Sequence, residues 1–379
     1  VHWKPHAAAL ADGATHGASR WRPLVAALPR HEFVPRWWQR ADDGWQLHDG
    51  PADQEQWAAA AYADRSLITR VGPLHADLAE PGERPHGAPT SSATLPSLVV
   101  RMFQHARIAD GDQLLDVGTG SGYGTALATL RLGDEKVTSV DIDDYLVNAA
   151  RYRLDQLGLR PQIATVDATG PLPGVYDRIV ATVGVRPVPS SWLQALKPGG
   201  RLVTTISGTT LIVTAEKQDD GSAVGQVEWD RAGFMQARAG DDYADTLPPG
   251  LLEQARHGEG ESVSDGDYPL LDIQEAWDVA AMLDIEAPGT VYGYDVDGQL
   301  RTTWLAHPDG SWARAMSLSG PRGVLPLVHQ SGPQRLWDVL DRIRSYWLEH
   351  GELPLRGARV WITPEGQTRL ARGSWRAAL

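Results

Sequence analysis

Short apolar runs recur between residues 114 and 206: LLDV, KVTSV, YDRIVATV and GRLVTTI. Runs of this kind, without polar alternation, are strands buried on both faces, as in parallel sheets. Between them lie helical patterns. A small-residue pattern follows Gly124, and YLVNAARYRLDQLG runs to a stop at Gly158. LKPGG ends a helix and turns on Pro-Gly-Gly into the next strand, and PQIATVD adds a further short strand. The alternation of strand and helix predicts an α/β fold, a doubly wound parallel sheet with helices on both faces. TLIVTAEKQDDGSAVGQVEWD reads as two strands around an Asp-Gly turn that extend the sheet.

The flanks have different patterns. Residues 1–80 are rich in alanine and tryptophan and read as an N-terminal helical segment, with Trp37, Trp38 and Trp57 expected as buried packing and the lining of a peptide site as their alternative role. The sheet domain spans 81–235. GDDYADTLPPG and HGEGESVSDGDYP read as polar connectors. Residues 236–379 then predict an added α+β domain. It holds a helix at IQEAWDVAAML, strands joined at Asp-Gly turns in GYDVDGQLRTTWLAHPDGSWARAM, and a closing hairpin at ARVWITPEGQTRLAR. Residues 332–351 form a strongly amphipathic helix, with Leu336, Leu340, Ile343 and Trp347 at helical spacing. A peptide could dock on this domain by adding a strand at an open edge.

Residues 114–128, LLDVGTGSGYGTALA, carry the chemistry. A strand ends in Asp116, and glycines alternate at Gly118, Gly120, Gly122 and Gly124. Such glycines permit a tight turn and close approach of a ligand. A dinucleotide fingerprint would place a third glycine at 123, where Tyr123 stands. An acid at the strand end plus alternating glycines is instead the pattern for S-adenosyl-L-methionine (SAM). Asp116 is positioned to hold its cationic methionine end. Asp141 closes the next strand about 20 residues past the glycines, where a ribose diol is gripped. One of Asp143 and Asp144 caps the following helix. Asp167 and Ala168 suit the adenine end. No histidine or fourth ligand converges on these acids, so no metal site is expected.

Three further segments, LPRHEFVP (28–35), AYADRSLI (61–68) and PTSSATLPSLVV (89–100), precede the glycine motif in an order that resembles the protein-L-isoaspartate O-methyltransferase family over roughly residues 20–215. The resemblance implies a Rossmann-like class I SAM-dependent methyltransferase with S-adenosyl-L-homocysteine as product. It places the cofactor on Asp116, Gly118, Thr119, Gly120, Ser121, Gly122, Tyr123, Asp141, Ile142, Asp167 and Ala168. Ser92 matches the family's active-site serine, with Ser91 and Thr90 beside it. Thr94, Val183 and Arg186 are candidates for the substrate side, although a single arginine such as Arg186 is more often half of an ordinary surface ion pair. The serine segment reads TSSATLPS, where the family usually continues with proline and histidines. The chain also runs on for more than 150 residues past the family core. That long form resembles the methyltransferases of ATP-grasp (graspetide) peptide maturation systems, with lanthipeptide and lasso-peptide relatives. Those enzymes esterify one aspartate of a ring-modified precursor peptide, and the ester collapses to an aspartimide. Repair of isoaspartate in damaged proteins is the alternative, and a SAM-binding partner protein without turnover is the alternative of another class.

The reaction needs few groups. An aspartate carboxylate, with a pKa of about 3.9, is already ionised at neutral pH and requires no base. A neutral hydroxyl orients it without lowering its nucleophilicity, and Thr90, Ser91 and Ser92 offer three. Serine and threonine ahead of a helix are also common N-caps, and at least one of the three is expected in that role.

Composition narrows the picture further. The chain has 379 residues and no cysteine, which excludes disulfides, thiolate catalysis and cysteine-zinc sites. Net charge is −13 with no run of Lys and Arg, so nucleic acid is not an expected partner. The charge does not attract an anionic aspartyl peptide either, so substrate capture must rest on local contacts or on basic residues of the substrate. No apolar run is long enough for a membrane span, and the first residues lack an apolar signal core, so a cytoplasmic location is expected. No pattern speaks to oligomeric state.

Overall fold

All four residues of Leu114–Val117 are buried, because the strand has parallel neighbours on both sides and packed layers on both faces. The computed structural model describes residues 1–42, 44–238, 240, 243, 247–318 and 324–379. Gln162–Thr165, Val137–Asp141, Leu114–Val117, Tyr176–Val185 and Leu196–Ile206 lie side by side in that order, all parallel. Consecutive residues face opposite layers. Leu115, Ile179 and Leu202 enter one apolar cluster, while Leu114, Val180 and Val203 enter the other. The chain leaves Leu114–Val117 in one direction to reach Val137–Asp141 and later returns on its other side. This reversal opens a crevice at the strands' carboxyl ends, the usual ligand position in such sheets. The fold is a doubly wound, Rossmann-like α/β sheet.

Leu211–Lys217 and Ala223–Arg231 extend the sheet as an antiparallel pair, as the Asp-Gly turn predicts. The sheet then grows further. Arg359–Ile362, Thr368–Arg372 and Trp375–Ala378, from the end of the chain, pair onto Ala223–Arg231 and bring it to ten strands. Residues 236–379 are therefore not one spatial unit. Their closing hairpin belongs to the central sheet.

The N-terminal region holds the expected helices, Lys4–Ala14, Arg22–Ala27 and Gln54–Ala61, and also a five-stranded antiparallel sheet. Its strands are Arg36–Ala41, Gly44–Asp49, Leu67–Val71, Leu74–His75 and Pro89–Ala93. These strands lack apolar–polar alternation for a physical reason. Trp37 and Trp38 point to opposite faces, yet both are 1% exposed, because each face is covered by a separate apolar cluster. Trp57 is likewise buried and donates its indole N–H to the Val34 carbonyl at 3.0 Å.

A third sheet orders Ser262–Asp265, Leu327–Ser331, Trp312–Leu318, Leu300–Ala306 and Val291–Asp297, all antiparallel. Helices Trp277–Glu286 and Leu336–His350 pack with it and share one continuous core with the central sheet. Leu336, Leu340 and Ile343 are buried as their spacing predicts, whereas Trp347, in the last turn, is 43% exposed. Of the two expected connectors, HGEGESVSDGDYP contributes the edge strand Ser262–Asp265. Its side chains face mostly outward, so backbone pairing alone makes it a strand and its polar sequence hides it. Most of GDDYADTLPPG lies outside the described residues.

Candidate active site

Where the glycine motif leaves its strand, the backbone turns through positive φ at Gly118 (96°), Gly120 (51°) and Gly122 (91°). A side chain at 118 would also press within 3.0 Å of Thr182 Oγ1, so glycine is required there twice over. The loop bounds a cavity of about 270 Å³ at the carboxyl ends of Leu114–Val117 and Val137–Asp141. Thr90, Ser91, Ser92, Thr94, Asp116, Gly118, Thr119, Gly120, Ser121, Tyr123, Asp141, Ile142, Asp167, Ala168 and Val183 all line it. Sequence-distant segments thus converge on one space.

Each acid there has a distinct setting. Asp116 is 3% exposed, and its Oδ2 accepts from the Thr125 hydroxyl (2.7 Å) and the Ser139 hydroxyl (2.9 Å). Burial pushes its carboxyl up to about 6 despite these donors, and the nearby Asp141 charge adds to the rise. Asp141 Oδ2 accepts from the Gly120 N–H at 2.9 Å, and its Oδ1 from the Asp143 N–H at 3.1 Å. Burial raises this carboxyl too. Asp143 is the helix cap, accepting from the Tyr145 and Leu146 N–H groups. Burial alone would raise Asp143, but the His75 hydrogen bond and the charges of His75 and Arg70 hold it at about 2. Asp167 Oδ1 is already taken by the Thr169 N–H and hydroxyl, while the Trp192 indole N–H fixes the Ala168 carbonyl at 2.6 Å.

The three hydroxyls beside the glycine loop separate cleanly. They lie on the strand Pro89–Ala93, and the helix Pro96–His105 begins at Leu95 without a side-chain cap, so none of them serves as an N-cap. The strand pairs with Leu67–Val71 through two opposed register shifts around Ser91. Such bulges redirect side chains. Thr90 Oγ1 donates to the Gly72 carbonyl at 2.7 Å, and Thr69 Oγ1 donates to Ser91 Oγ at 3.0 Å. Ser92 is partly exposed on the cavity wall, and no described residue hydrogen-bonds to its hydroxyl. Its carbonyl lies 3.5 Å from where a Gly120 side chain would begin.

Arg30 explains why the three upstream motifs occur together. It is 0% exposed, and its guanidinium donates to the carbonyls of Ala61, Ala63 and Arg65 in AYADRSLI and of Ala93 and Thr94 in TSSATLP. One side chain from LPRHEFVP therefore fixes the serine strand against the preceding turn. Burial lowers its pKa to about 10, which leaves it charged at neutral pH.

Two expected residues lie off the cavity. Gly122 acts through packing, since a side chain there would meet Ala150 Cβ at 3.0 Å. Arg186 does not line the cavity. Its guanidinium is held by the Asp284 carboxylate at 2.6 Å and the Asp284 carbonyl at 3.0 Å, which ties the sheet to the helix Trp277–Glu286. Conversely, residues 233–238 line the cavity without a sequence signal. They are held by Gly184, whose N–H donates to the Met235 carbonyl and whose carbonyl accepts from the Ala237 N–H, each at 2.8 Å. Backbone pairing of this sort leaves no residue pattern to read.

The family model for protein-L-isoaspartate(D-aspartate) O-methyltransferase matches residues 82–232. A protein-L-isoaspartate O-methyltransferase of Nitrosospira multiformis is 34% identical over 209 residues, covering 52% of this chain and 72% of that one. The chain belongs to this family. Its counterpart from Thermococcus onnurineus is 34% identical over 143 residues, which is 36% of this chain and 64% of that one, so the match spans less than two thirds of that relative. A solved structure described as protein-L-isoaspartate O-methyltransferase aligns over 99% of this chain and 98% of its own, at 18% identity and a TM-score of 0.48. The family is SAM-dependent. The donor set suits that cofactor: Asp116 and Asp141 stand near the carboxyl ends of two adjacent parallel strands, both line the cavity, and a glycine-rich loop lies between them.

Proposed function

We propose that the protein esterifies a carboxylate of a peptide, with Asp116, Asp141 and the glycine loop holding SAM and Ser92 orienting the attacking oxygen. When bound, SAM supplies the electrophilic methyl group. Everything else is positioning, which can contribute roughly 7–11 kcal/mol in favourable cases. The observation that carries the reading is the division of labour among the hydroxyls: Thr90 and Ser91 are spent on the scaffold, and Ser92 is left to the cavity. Ser92→Ala should therefore lower kcat with unchanged SAM affinity and melting temperature. An equal loss of stability would place Ser92 in the scaffold instead.

For the substrate, the relatives support an isoaspartyl residue of a protein. A second reading, one L-aspartate of a ring-modified precursor peptide followed by aspartimide closure, is supported by two departures. The serine segment reads TSSATLPS, and the chain continues long past the matched residues 82–232. A constrained ring would preorganise the carboxylate and the backbone nitrogen that later attacks the ester. The test offers the enzyme SAM with generic isoaspartyl peptides, and separately with linear and cyclised aspartyl peptides, and follows methyl ester by mass spectrometry. Efficient esterification of unrelated isoaspartyl peptides selects repair. Preference for a cyclised L-aspartyl peptide, ending in a product one water lighter than the starting peptide, selects maturation.

The cofactor assignment also has a pH signature. The Asp116 pKa is raised in the fold, so this group adds stability below the unfolded carboxylate range and that contribution is lost as pH rises through about 6. A bound cation favours the ionised form and opposes the loss. SAM should thus raise the melting temperature more at about pH 7.5 than at about pH 5.5, and Asp116→Asn should remove the difference. Equal shifts in the parent protein at both pH values would separate Asp116 from the cation.

A further inference from the structure

The chain carries net charge −13 and no run of basic residues, yet the fold assembles one basic face. It lies on the outer strands of the central sheet. Side chains alternate along Arg359–Ile362, with Val360 and Ile362 buried and Arg359 and Trp361 exposed. Cross-strand pairing extends the exposed side in two rows. Gln226, Arg359, Ala371 and Arg376 form one, and Val224, Trp361, Arg369 and Ala378 form the other. With strands about 4.8 Å apart, the three arginines and the tryptophan share a patch roughly 10 Å across.

These arginines are not consumed by acids. Arg369 lies over the Trp361 ring at 5.6 Å, and its guanidinium meets the Gln367 amide oxygen at 3.5 Å. Arg376 donates to the Gly373 and Trp375 carbonyls. Among the described residues, none of Arg359, Arg369 and Arg376 forms an ion pair. Acids on the same face, Glu216 and Glu228, sit on inner strands and are taken up by Arg201, at 2.8 and 3.6 Å. The strand that borders the patch, Ala223–Arg231, passes through the 66% exposed Trp229 and runs directly into residues 233–238 of the cavity wall. The three strands bearing these arginines lie wholly outside the family match at 82–232.

We propose that this face docks an acidic segment of the peptide substrate, flanking the carboxylate to be methylated. The proposal rests on the peptide-methylating reading given above. Charge complementarity selects the occupant. Within an acidic protein, a cluster of unpaired guanidiniums around an exposed indole attracts carboxylates locally while the rest of the surface repels them. Arginine forks bind carboxylates bidentately, and the indole covers aliphatic stems. The face thereby supplies the local contacts that net charge alone denies an anionic substrate.

The test uses the full chain and a fluorescent peptide rich in glutamate and free of aspartate and isoaspartate, so binding is read without catalysis. The parent protein should bind it, more weakly as salt rises. The triple variant Arg359→Thr, Arg369→Thr, Arg376→Thr should weaken binding about tenfold or more, with SAM affinity and melting temperature unchanged. Threonine is chosen because it suits exposed strand positions. If the triple variant fails to fold, the single charge reversal Arg369→Glu carries the same expectation. Equal binding by parent and variant overturns the proposal. So does a single-stranded oligonucleotide that binds through the same arginines more tightly than the peptide. Arginine-dependent binding without methylation of any peptide would sustain the docking face and defeat the catalytic reading, so the two fail separately.

Discussion

Arg30→Ala should be the most damaging single substitution in the N-terminal half. Five backbone carbonyls converge on this guanidinium, from Ala61, Ala63, Arg65, Ala93 and Thr94. A buried polar group left without a partner costs about 1–3 kcal/mol, and water entering the vacated space recovers part of that. A net loss of roughly 3–5 kcal/mol is expected, against total stabilities of about 5–15 kcal/mol for ordinary domains. Arg30→Lys should restore little, because a compact ammonium with three donors cannot span carbonyls on two separate segments. The measurement is a thermal melt of both variants beside the parent. A lysine variant melting with the parent would mean that the fork is not what ties the segments together. Activity should fall further than stability in any variant that remains folded, because the segments tied by Arg30 carry Ser92.

That side chain also shows how far the sequence could be read. LPRHEFVP, AYADRSLI and PTSSATLP stand out as separate motifs, but nothing in their spacing says that one arginine joins them. The parallel strands were legible because burial on both faces leaves continuous apolar runs such as LLDV. The convergence of Asp116 and Asp141 on one cavity was legible because strand ends and glycine turns have fixed geometry. The N-terminal sheet was not legible. Trp37 and Trp38 are adjacent and both buried, so the two-residue period that marks a half-buried strand is absent. The hairpin at 359–372 was legible as a hairpin, but not as part of the central sheet. Pairing with Ala223–Arg231 is a backbone event between segments far apart in the chain. The same applies to residues 233–238, which reach the cavity through hydrogen bonds to Gly184.

The hydroxyl cluster shows where residue type stops being informative. Thr90, Ser91 and Ser92 are chemically near-equivalent in sequence, and each could cap the following helix. Strand pairing separates them by giving two of them backbone or side-chain partners and leaving the third to the cavity. Arg186 makes the converse point. A position just past a strand's carboxyl end suits a ligand group, but Asp284, 98 residues away, claims its guanidinium.

Asp141→Ala should produce the largest loss of cofactor affinity. Its carboxylate sits at the cavity between the glycine loop and the helix start, accepting from the Gly120 and Asp143 N–H groups. A ribose diol would add two charge-assisted hydrogen bonds, each worth roughly 1.5–3 kcal/mol, so affinity for SAM and S-adenosyl-L-homocysteine should drop about a hundredfold or more. Stability should change much less. Burial raises this carboxyl above its ordinary range, so deleting it relieves a desolvation cost that offsets the two lost backbone contacts. Calorimetric titration of both ligands reads the first effect, and a thermal melt of the free protein reads the second. Asp167→Ala provides the internal comparison. Its Oδ1 is already occupied by the Thr169 N–H and hydroxyl, so only part of that carboxylate is open to a ligand, and its loss should weaken binding by a smaller factor. Equal losses in the two variants, or unchanged affinity in Asp141→Ala, would move the ribose away from Asp141 and require a different orientation of the cofactor in the cavity.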